Sequence, residues 1–335
     1  MKVTSIIAIT LILGFLSAGC SVSTKTNAAK PDMTRCQEDL NSIPDVAAWL
    51  RTRTKESDDQ GALNGMEIAL TMNWMVRSQV DAEPNLDDWC YTENSRENFN
   101  KLVNALKENA IPPTVDFVTG DSLDQALQEE WLRSGNLIGN MSYTWKSVKK
   151  KKISTEGFIA AIDKAEQGLA PLWLKFERKK KYFRYPALKL GLDEQRPRDV
   201  RAYLKQNGFV EVPATINTRE DYFSQPYCSA QTRGDTVCAN FISATFKSLL
   251  LDKTIKARAA ARKIAGRDIK QIWSIGASQL TCDLLGEVLR WFKAMGVKFI
   301  TLDEALSDPF YAVEDVTNTA NQIIWEAKRA QSSTE

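Results

Sequence analysis

Apolar and polar positions alternate between strand-like and helix-like patterns from residue 67 onward. The continuous apolar run at residues 68–72 is typical of a buried strand, whereas residues 97–109 place their apolar side chains on one helical face. The same reading predicts further strands at 114–118, 182–185, 209–216, 269–275 and 297–302. It predicts further helices at 122–134, 154–167, 198–206, 236–265 and 282–295. Strands that alternate with helices favour a parallel sheet or a β/α barrel.

The N-terminus has the pattern of an export signal. Lys2 precedes an apolar stretch at residues 6–15 that is too short for a membrane-spanning helix, and small residues follow it. Residues 16–20, Leu-Ser-Ala-Gly-Cys, resemble the bacterial lipoprotein box, which implies that Cys20 is acylated and becomes the first mature residue. The alternative is an ordinary cleaved signal in which Cys20 has no role. Ser21 resembles an outer-membrane sorting signal.

These features predict a lipid-anchored protein of the bacterial cell envelope, held at the outer membrane and facing the periplasm. Its first partner would be the lipid bilayer, through the acyl chains of Cys20. We expect a signal peptide at residues 1–19, a flexible tether at 20–35 and an N-terminal extension at 36–66. The main domain would cover residues 67–311, with a helical tail at 312–335.

Composition excludes several kinds of chemistry. The 335 residues contain no histidine, so histidine-activated nucleophiles and histidine-ligated metals are impossible. The 44 basic and 42 acidic side chains leave a formal charge of +2, which offers no broad attraction for nucleic acid. The predicted envelope location makes peptidoglycan, another envelope polysaccharide or an envelope protein the expected partner besides the membrane.

The cysteines fit an oxidising compartment. Five remain after the lipid-bearing Cys20, so at least one thiol stays unpaired. Sequence proximity makes Cys228–Cys238 the first candidate disulfide, with Cys36–Cys90 as the second. Cys282 lies in an apolar helical segment and is expected to be a buried free thiol.

Four short motifs lie in order along residues 67–311. Residues 294–306 read Ala-Met-Gly-Val-Lys-Phe-Ile-Thr-Leu-Asp-Glu-Ala-Leu and continue into Asp-Pro-Phe-Tyr at 308–311; the others are Phe-Arg-Tyr-Pro at 183–186, Gly-Asn-Met-Ser-Tyr-Thr-Trp at 139–145, and residues 68–74. Together these motifs resemble the polysaccharide deacetylase family, which has the NodB-homology fold. The resemblance implies an α/β fold, a deacetylase-like distorted (β/α) barrel, with a single main domain.

The positions that carry catalysis in the family differ in this chain. The resemblance places Asn73 and Trp74 where active members have two aspartates, one a base and one a metal ligand. It places Met141 and Trp145 where they have two metal-binding histidines, and Ile275-Gly276 near the late histidine. None of these side chains suits a zinc-like ion or moves a proton near neutral pH. The resemblance therefore implies a pseudoenzyme with no metal site and no cofactor.

Two interpretations remain for the residues around the place where active family members have their metal pocket. Trp74, Tyr143 and Trp145, with Arg184 and Tyr185, could form a groove that stacks on sugar rings. Alternatively, the large side chains fill the redundant pocket, and Arg184 keeps only a structural role because its family partner, an aspartate, is replaced by Asn73.

The leading hypothesis is a non-catalytic glycan-binding or scaffold protein. One alternative is a divergent metal-dependent carbohydrate or peptidoglycan deacetylase that recruits a divalent ion such as zinc through Asp116, Glu220 and Asp221. The other is a regulatory partner of a second envelope protein.

Overall fold

The computed structural model describes residues 34–41, 46, 61–73, 95–144, 153–178, 180–189 and 195–332, all within one compact unit, Met33–Glu335. Its strands are β1 (Glu67–Asn73), β2 (Val115–Val118), β3 (Leu137–Asn140), β4 (Lys181–Phe183), β5 (Phe209–Glu211), β6 (Ile216–Asn217), β7 (Gln271–Gly276) and β8 (Lys298–Ile300). Its helices are α1 (Thr34–Asn41), α2 (Ser95–Glu108), α3 (Gln125–Arg133), α4 (Thr155–Lys175), α5 (Gln195–Gln206), α6 (Asp221–Thr232), α7 (Thr236–Ala265), α8 (Gln279–Ala294), α9 (Leu302–Leu306) and α10 (Val316–Ser332).

The strands form a parallel, curled sheet with β1 at its centre. Their order is β5-β4-β3-β2-β1-β7-β6, and β8 pairs with the first half of β1. Strand β1 is buried along nearly its whole length, and only its end residues Glu67 and Asn73 are partly exposed. This arrangement confirms the predicted α/β class and the deacetylase-like (β/α) barrel.

The predicted strand at 209–216 is wrong in one respect, because the chain forms two short strands there. Val212 N–H donates to Phe183 O at 2.7 Å on the β4 side, and Thr215 N–H donates to Ile272 O at 2.9 Å on the β7 side. Pro213 between them has no N–H and cannot continue a ladder. Residues 212–215 therefore connect the two ends of the curled sheet.

Helix boundaries follow local capping chemistry. Helix α7 has the predicted bounds, since Asp235 accepts from Cys238 N–H at its start and Gly266 adopts φ +71° at its end. Helix α3 begins at Gln125, later than predicted, because Asp124 caps it. Helix α6 and strand β3 were not predicted as elements.

Both ends of the described chain join the main apolar core. Cys36 and Leu40 of α1, and Ala320 and Ile323 of α10, are buried among the residues that pack around the sheet. Described residues of the predicted N-terminal extension and of the predicted helical tail therefore contribute to this interior. Within the part of the chain that the structure describes, no helix is long and apolar enough to cross a membrane.

The disulfide predictions were wrong. Cys238 is bonded to Cys36, which joins α1 to the start of α7, so neither Cys228–Cys238 nor Cys36–Cys90 forms. Cys228 is disulfide-bonded as well. Cys282 is a buried free thiol as expected, and burial raises its pKa. Sequence proximity misled here because Cys228 and Cys238 lie on two successive helices, α6 and α7.

Candidate functional site

The carboxyl ends of the central strands bring together the positions that the family resemblance singled out. Asn73 on β1 is in register with Phe117 on β2 and with Gly276 on β7. Paired residues of parallel strands share one face of the sheet, so these three positions face the same side. Ile275 is one residue out of that register, opposite Met72, and is buried in the core.

Arg184 occupies the centre of this face and connects four strands or strand links. Its Nη1 donates to Asn73 Oδ1 at 3.0 Å and to Ser274 Oγ at 3.3 Å. Its Nη2 donates to Pro213 O at 3.1 Å, and its Nε donates to Val212 O at 3.3 Å. Asn73 is therefore a hydrogen-bond partner of Arg184. This corrects the expectation that an asparagine at position 73 leaves Arg184 without its family partner.

The Arg184 guanidinium is buried, at 1% exposure, and its carbon lies 4.1 Å from the centre of the Phe117 ring. Burial lowers the pKa of Arg184 to about 9, although the negative charge of Asp116 opposes that shift. The side chain remains a cation at neutral pH and is held by neutral acceptors and an aromatic face. Its position makes Arg184 a structural connection inside the barrel rather than an accessible binding group.

Glu220 fills the space that a side chain at position 276 would need. Gly276 N–H donates to Glu220 Oε1, and Thr218 Oγ1 donates to Oε2 at 3.0 Å. A Cβ atom added to Gly276 would lie 2.9 Å from that same Oε1. Burial and the nearby charge of Asp221 raise the pKa of Glu220 to about 7.

The motif at residues 139–145 turns sharply after β3. Ser142 has φ +69°, and Asn140 Oδ1 accepts from its N–H at 2.6 Å. Met141 is 1% exposed and belongs to the main core, so its thioether faces other apolar groups. Gly139 leaves room for the ring of Phe117, since an added Cβ would lie 2.5 Å from that ring.

The aromatic binding candidates do not share one accessible surface. Tyr185 is 1% exposed and packs against Phe158 and Phe183, so its ring is core and not a sugar platform, and the prediction for this residue is wrong. Tyr143 is half-buried and has Lys164 Nζ 3.7 Å from its ring centre. Trp74 and Trp145 lie outside the described residues, as does Cys20.

The carboxylates considered for a recruited metal site do not converge. Asp116 is fully buried and accepts from Gln128 of α3 on the helix-facing side of the sheet. Asp221 forms an exposed pair with Arg219 at 2.9 Å. Glu220 alone lies at the strand ends, with hydrogen bonds to both oxygens.

A divalent metal does not fit the donors that the strand ends provide. Asn73 Oδ1 already accepts from Arg184, a buried cation that would repel a metal ion. Met141 offers a soft thioether inside the core. In the described ranges, the one cluster of three acidic or thiol side chains close enough to share an ion is Cys36, Asp235 and Cys238, whose two sulfurs form the disulfide.

Sequence reasoning missed Ser274 and Phe117 as members of this site. Ser274 lies two residues before Gly276, so strand alternation puts it on the same face. Asn73 Nδ2 donates to Ser274 Oγ at 2.6 Å. The period of two in β7 was therefore the signal that could have found Ser274.

The curled parallel sheet with its surrounding helices is a polysaccharide deacetylase-like barrel. Residues 83–212 match the family model described as polysaccharide deacetylase. The match covers the second and third of the four motifs and confirms the predicted resemblance over that segment. No curated protein sequence shows significant similarity to the chain.

Solved structures resemble the chain at a distance. A pseudoenzyme of the CE4 family from Bacillus anthracis is 13% identical, with 73% of this chain and 66% of that one covered and a TM-score of 0.45. PdaA of Bacillus subtilis, a family 4 carbohydrate esterase, is 13% identical over 72% and 80%, with a TM-score of 0.44. The CE4 domain of a multidomain xylanase from the Trinervitermes trinervoides hindgut metagenome is 14% identical over 72% and 90%, at 0.44. These likenesses assign no role to any residue.

Proposed function

We propose that the protein is a lipid-anchored component of the bacterial cell envelope that keeps a polysaccharide deacetylase-like barrel without its hydrolytic chemistry. It binds a glycan or serves as a scaffold. The observation that carries the proposal is the network at the strand ends. Arg184, Asn73 and Ser274 hydrogen-bond to one another, and Glu220 occupies the space beside Gly276.

Hydrolysis of an N-acetyl group by a metal site needs an ion that activates water and polarises the carbonyl. The side chain of Asn73 supports the proposal that this chemistry is missing. A neutral amide is a weak metal ligand and cannot serve as a base near neutral pH. Glu220 is a carboxyl group at the same place, but it is 7% exposed and its two oxygens accept hydrogen bonds from protein groups.

The decisive experiment measures acetate release by the full chain in lipid nanodiscs with added zinc, cobalt or nickel. The substrates are chitooligosaccharides and peptidoglycan fragments, and an active deacetylase verifies the assay. We expect no acetate above that from empty nanodiscs. Metal-dependent release that Glu220→Gln abolishes would refute the proposal and favour the divergent deacetylase.

Binding is tested separately from catalysis. Co-sedimentation with purified peptidoglycan should retain the chain, and Trp74→Ala with Trp145→Ala should weaken that retention if the glycan stacks on those rings. Retention equal to that of an unrelated lipoprotein would instead favour a scaffold that contacts an envelope protein.

The anchor has its own test. The bilayer is the proposed partner through acylated Cys20, at the periplasmic face of the outer membrane. Incorporation of radiolabelled palmitate should be lost in Cys20→Ser, and the wild-type chain should fractionate with the outer membrane. Labelling that persists in the variant would contradict the anchor.

A further inference from the structure

A cavity of about 300 Å³ lies apart from the Arg184 network, between the turn at Pro186–Leu188, strand β6 and helices α7 and α10. Its apolar walls come from all four segments: Leu188, Ile216, Ala257, Ile324 and Ala327. Trp325 and Lys328, which are exposed, are also lining residues, so the cavity opens to solvent beside α10. A cavity of this size is at the lower end of the range that holds small molecules.

The cationic side chains around the cavity do not give it a free positive charge. Arg219 forms two hydrogen bonds with Asp221, at 3.0 Å and 2.9 Å, and Lys253 Nζ donates to a backbone carbonyl at 3.2 Å. Lys189 and Lys328 each have an interaction within the protein as well. No carboxylate is among the described lining residues. Charge therefore does not select a ligand here, and a neutral ligand suits the walls.

Two asparagine side chains supply neutral hydrogen-bonding groups. Asn217 of β6 and Asn321 of α10 are both lining residues. Asn217 Oδ1 accepts from Arg219 N–H at 3.1 Å, which leaves its Nδ2 without a hydrogen-bond partner among the described residues. Asn321 Nδ2 donates to Leu188 O at 2.8 Å, and its Oδ1 has no partner in the same part of the chain. These backbone partners fix the orientation of both amides, so two separate walls contribute a donor and an acceptor.

The backbone at the cavity wall is held in an unfavourable conformation. Ala187 and Leu188 are consecutive non-glycine residues with φ +54° and +56°. The hydrogen bond from Asn321 to Leu188 O fixes this turn against α10. Such strain persists only where the surroundings impose it, and it is concentrated at ligand-binding places. The asparagine that supplies the unpaired acceptor therefore also holds the wall in place.

Trp325 contributes an aromatic surface to the lining of the cavity. It is 58% exposed, and the Arg329 guanidinium lies 4.8 Å from its ring centre. An exposed aromatic ring beside an apolar cavity adds area for the body of a ligand to contact. An aromatic body suits this place because its ring can pack against the indole as well as against the aliphatic walls.

We propose that this cavity binds a small neutral molecule with an aromatic body and one carboxamide group. The body lies against Leu188 and Ile216, and its ring contacts Trp325. The carboxamide oxygen accepts from Asn217 Nδ2, and the carboxamide N–H donates to Asn321 Oδ1. A carboxamide supplies an acceptor and a donor on separate atoms, whereas an ester lacks the donor and a carboxylate carries an unmatched charge. This site is independent of the function proposed for the strand ends, so either proposal can fail alone.

The test uses the full chain in nanodiscs of neutral lipid, with empty nanodiscs subtracted, and ligand-observed NMR titration. The probes are 4-phenylbutanamide, the ester methyl 4-phenylbutanoate and the anion 4-phenylbutanoate, which share one aromatic body. We expect the amide to bind about tenfold more tightly than the ester, because the ester leaves Asn321 Oδ1 unmatched. The amide should also bind more tightly than the carboxylate, and added salt should leave its affinity unchanged.

Matched variants locate the binding. Asn217→Asp keeps the acceptor for Arg219 N–H but removes the Nδ2 donor, so it should weaken amide binding about tenfold. Asn104→Asp makes the same change at an exposed position of α2 and should leave affinity unchanged. Trp325→Ala removes the ring contact and should weaken all three probes about threefold. Leu174→Ala, at an exposed side chain of α4, should not weaken them. Circular dichroism verifies the folding of each variant.

Four results would each overturn the proposal. The first is no detectable binding of the amide. The second is equal affinity for the amide and the ester, which would remove the role of Asn321 Oδ1. The third is tighter binding of the carboxylate than of the amide, which would show that charge selects the ligand. The fourth is unchanged amide affinity in both Asn217→Asp and Trp325→Ala, which would place binding elsewhere; Trp325→Ala alone decides this point if Asn217→Asp fails to fold.

Discussion

At the scale of single residues, Arg184 connects several parts of the barrel through its hydrogen bonds. The guanidinium holds Asn73, Ser274 and the carbonyls of residues 212–213 together inside the barrel. Its planar fork of donors suits several acceptors at fixed angles, which a lysine cannot reproduce. Retention of the Arg-Tyr-Pro motif thus has a structural explanation that needs no catalysis.

Replacing Arg184 by methionine should lower the free energy of unfolding by about 2–4 kcal/mol, because several buried acceptors would lose their donor. Arg184→Lys should recover only part of that loss. Urea denaturation measures both. Arg233→Met is the matched control, since Arg233 is exposed, and it should change stability by less than about 0.5 kcal/mol. Equal stability of Arg184→Met and wild type would contradict the structural role.

Glu220 makes stability depend on pH. Its pKa is raised from 4.5 to about 7 by burial first and by Asp221 second. A raised carboxyl pKa stabilises the folded state below the unfolded value, and this contribution disappears as pH rises through the folded value. The free energy of unfolding that Glu220 contributes is therefore lost as the pH rises from about 4.5 to about 7.

Across that window, wild type should lose up to about 3 kcal/mol relative to Glu220→Gln, which stays neutral. Thermal or urea unfolding of both proteins at several pH values measures the difference. Glu287→Gln removes an exposed carboxylate and should parallel wild type. Parallel curves for wild type and Glu220→Gln would show that Glu220 titrates as an ordinary carboxyl group.

At the scale of elements, Gly139 allows the side chain of Phe117 on β2 to pack closely against β3. Gly139 lies in register with Phe117, and the ring covers the space where a Cβ would be. The same ring packs against Arg184. The close approach of β3 therefore positions the face on which the guanidinium rests.

Gly139→Ala should destabilise the protein by about 1–3 kcal/mol, because the ring of Phe117 would have to move inside a packed core. Gly286→Ala on α8 is the matched control, since its added Cβ meets ordinary contacts at 3.5 Å and 3.7 Å. That change should stabilise by about 0.5–1 kcal/mol through helix propensity. Equal effects of the two substitutions in chemical denaturation would contradict the close packing.

At the scale of the whole molecule, the Cys36–Cys238 bond constrains a long stretch of chain. The two residues are 202 apart in sequence, so the bond removes much conformational freedom from the unfolded chain. Cys238→Ser should lower the free energy of unfolding by about 2–5 kcal/mol. Cys282→Ala, at the free thiol, should cost about 1 kcal/mol. A smaller loss in Cys238→Ser than in Cys282→Ala would contradict this account.

The sequence predicted the alternation of elements and the bounds of α7 because apolar periodicity and caps are local signals. It missed α6, whose interior contains Pro226 and whose end is polar, although tertiary packing buries Phe223 and Tyr227. It could place Asn73 and Gly276 on one edge of the sheet. It could not show that Asn73 accepts from Arg184 or that Glu220 fills the space at Gly276, since those contacts join residues distant in sequence.

The position of β1 has a consequence for biosynthesis. Synthesis delivers β1 early, whereas its neighbours β7 and β8 come from residues 271–276 and 298–300, near the end of the chain. Until β7 is in place, one edge of the buried central strand has unpaired backbone N–H and C=O groups. Those groups can pair with a strand from another molecule. A nascent chain that stops after β6 would carry that exposed edge permanently. Chains truncated before β7 should therefore aggregate on refolding, whereas chains that include β8 should stay soluble.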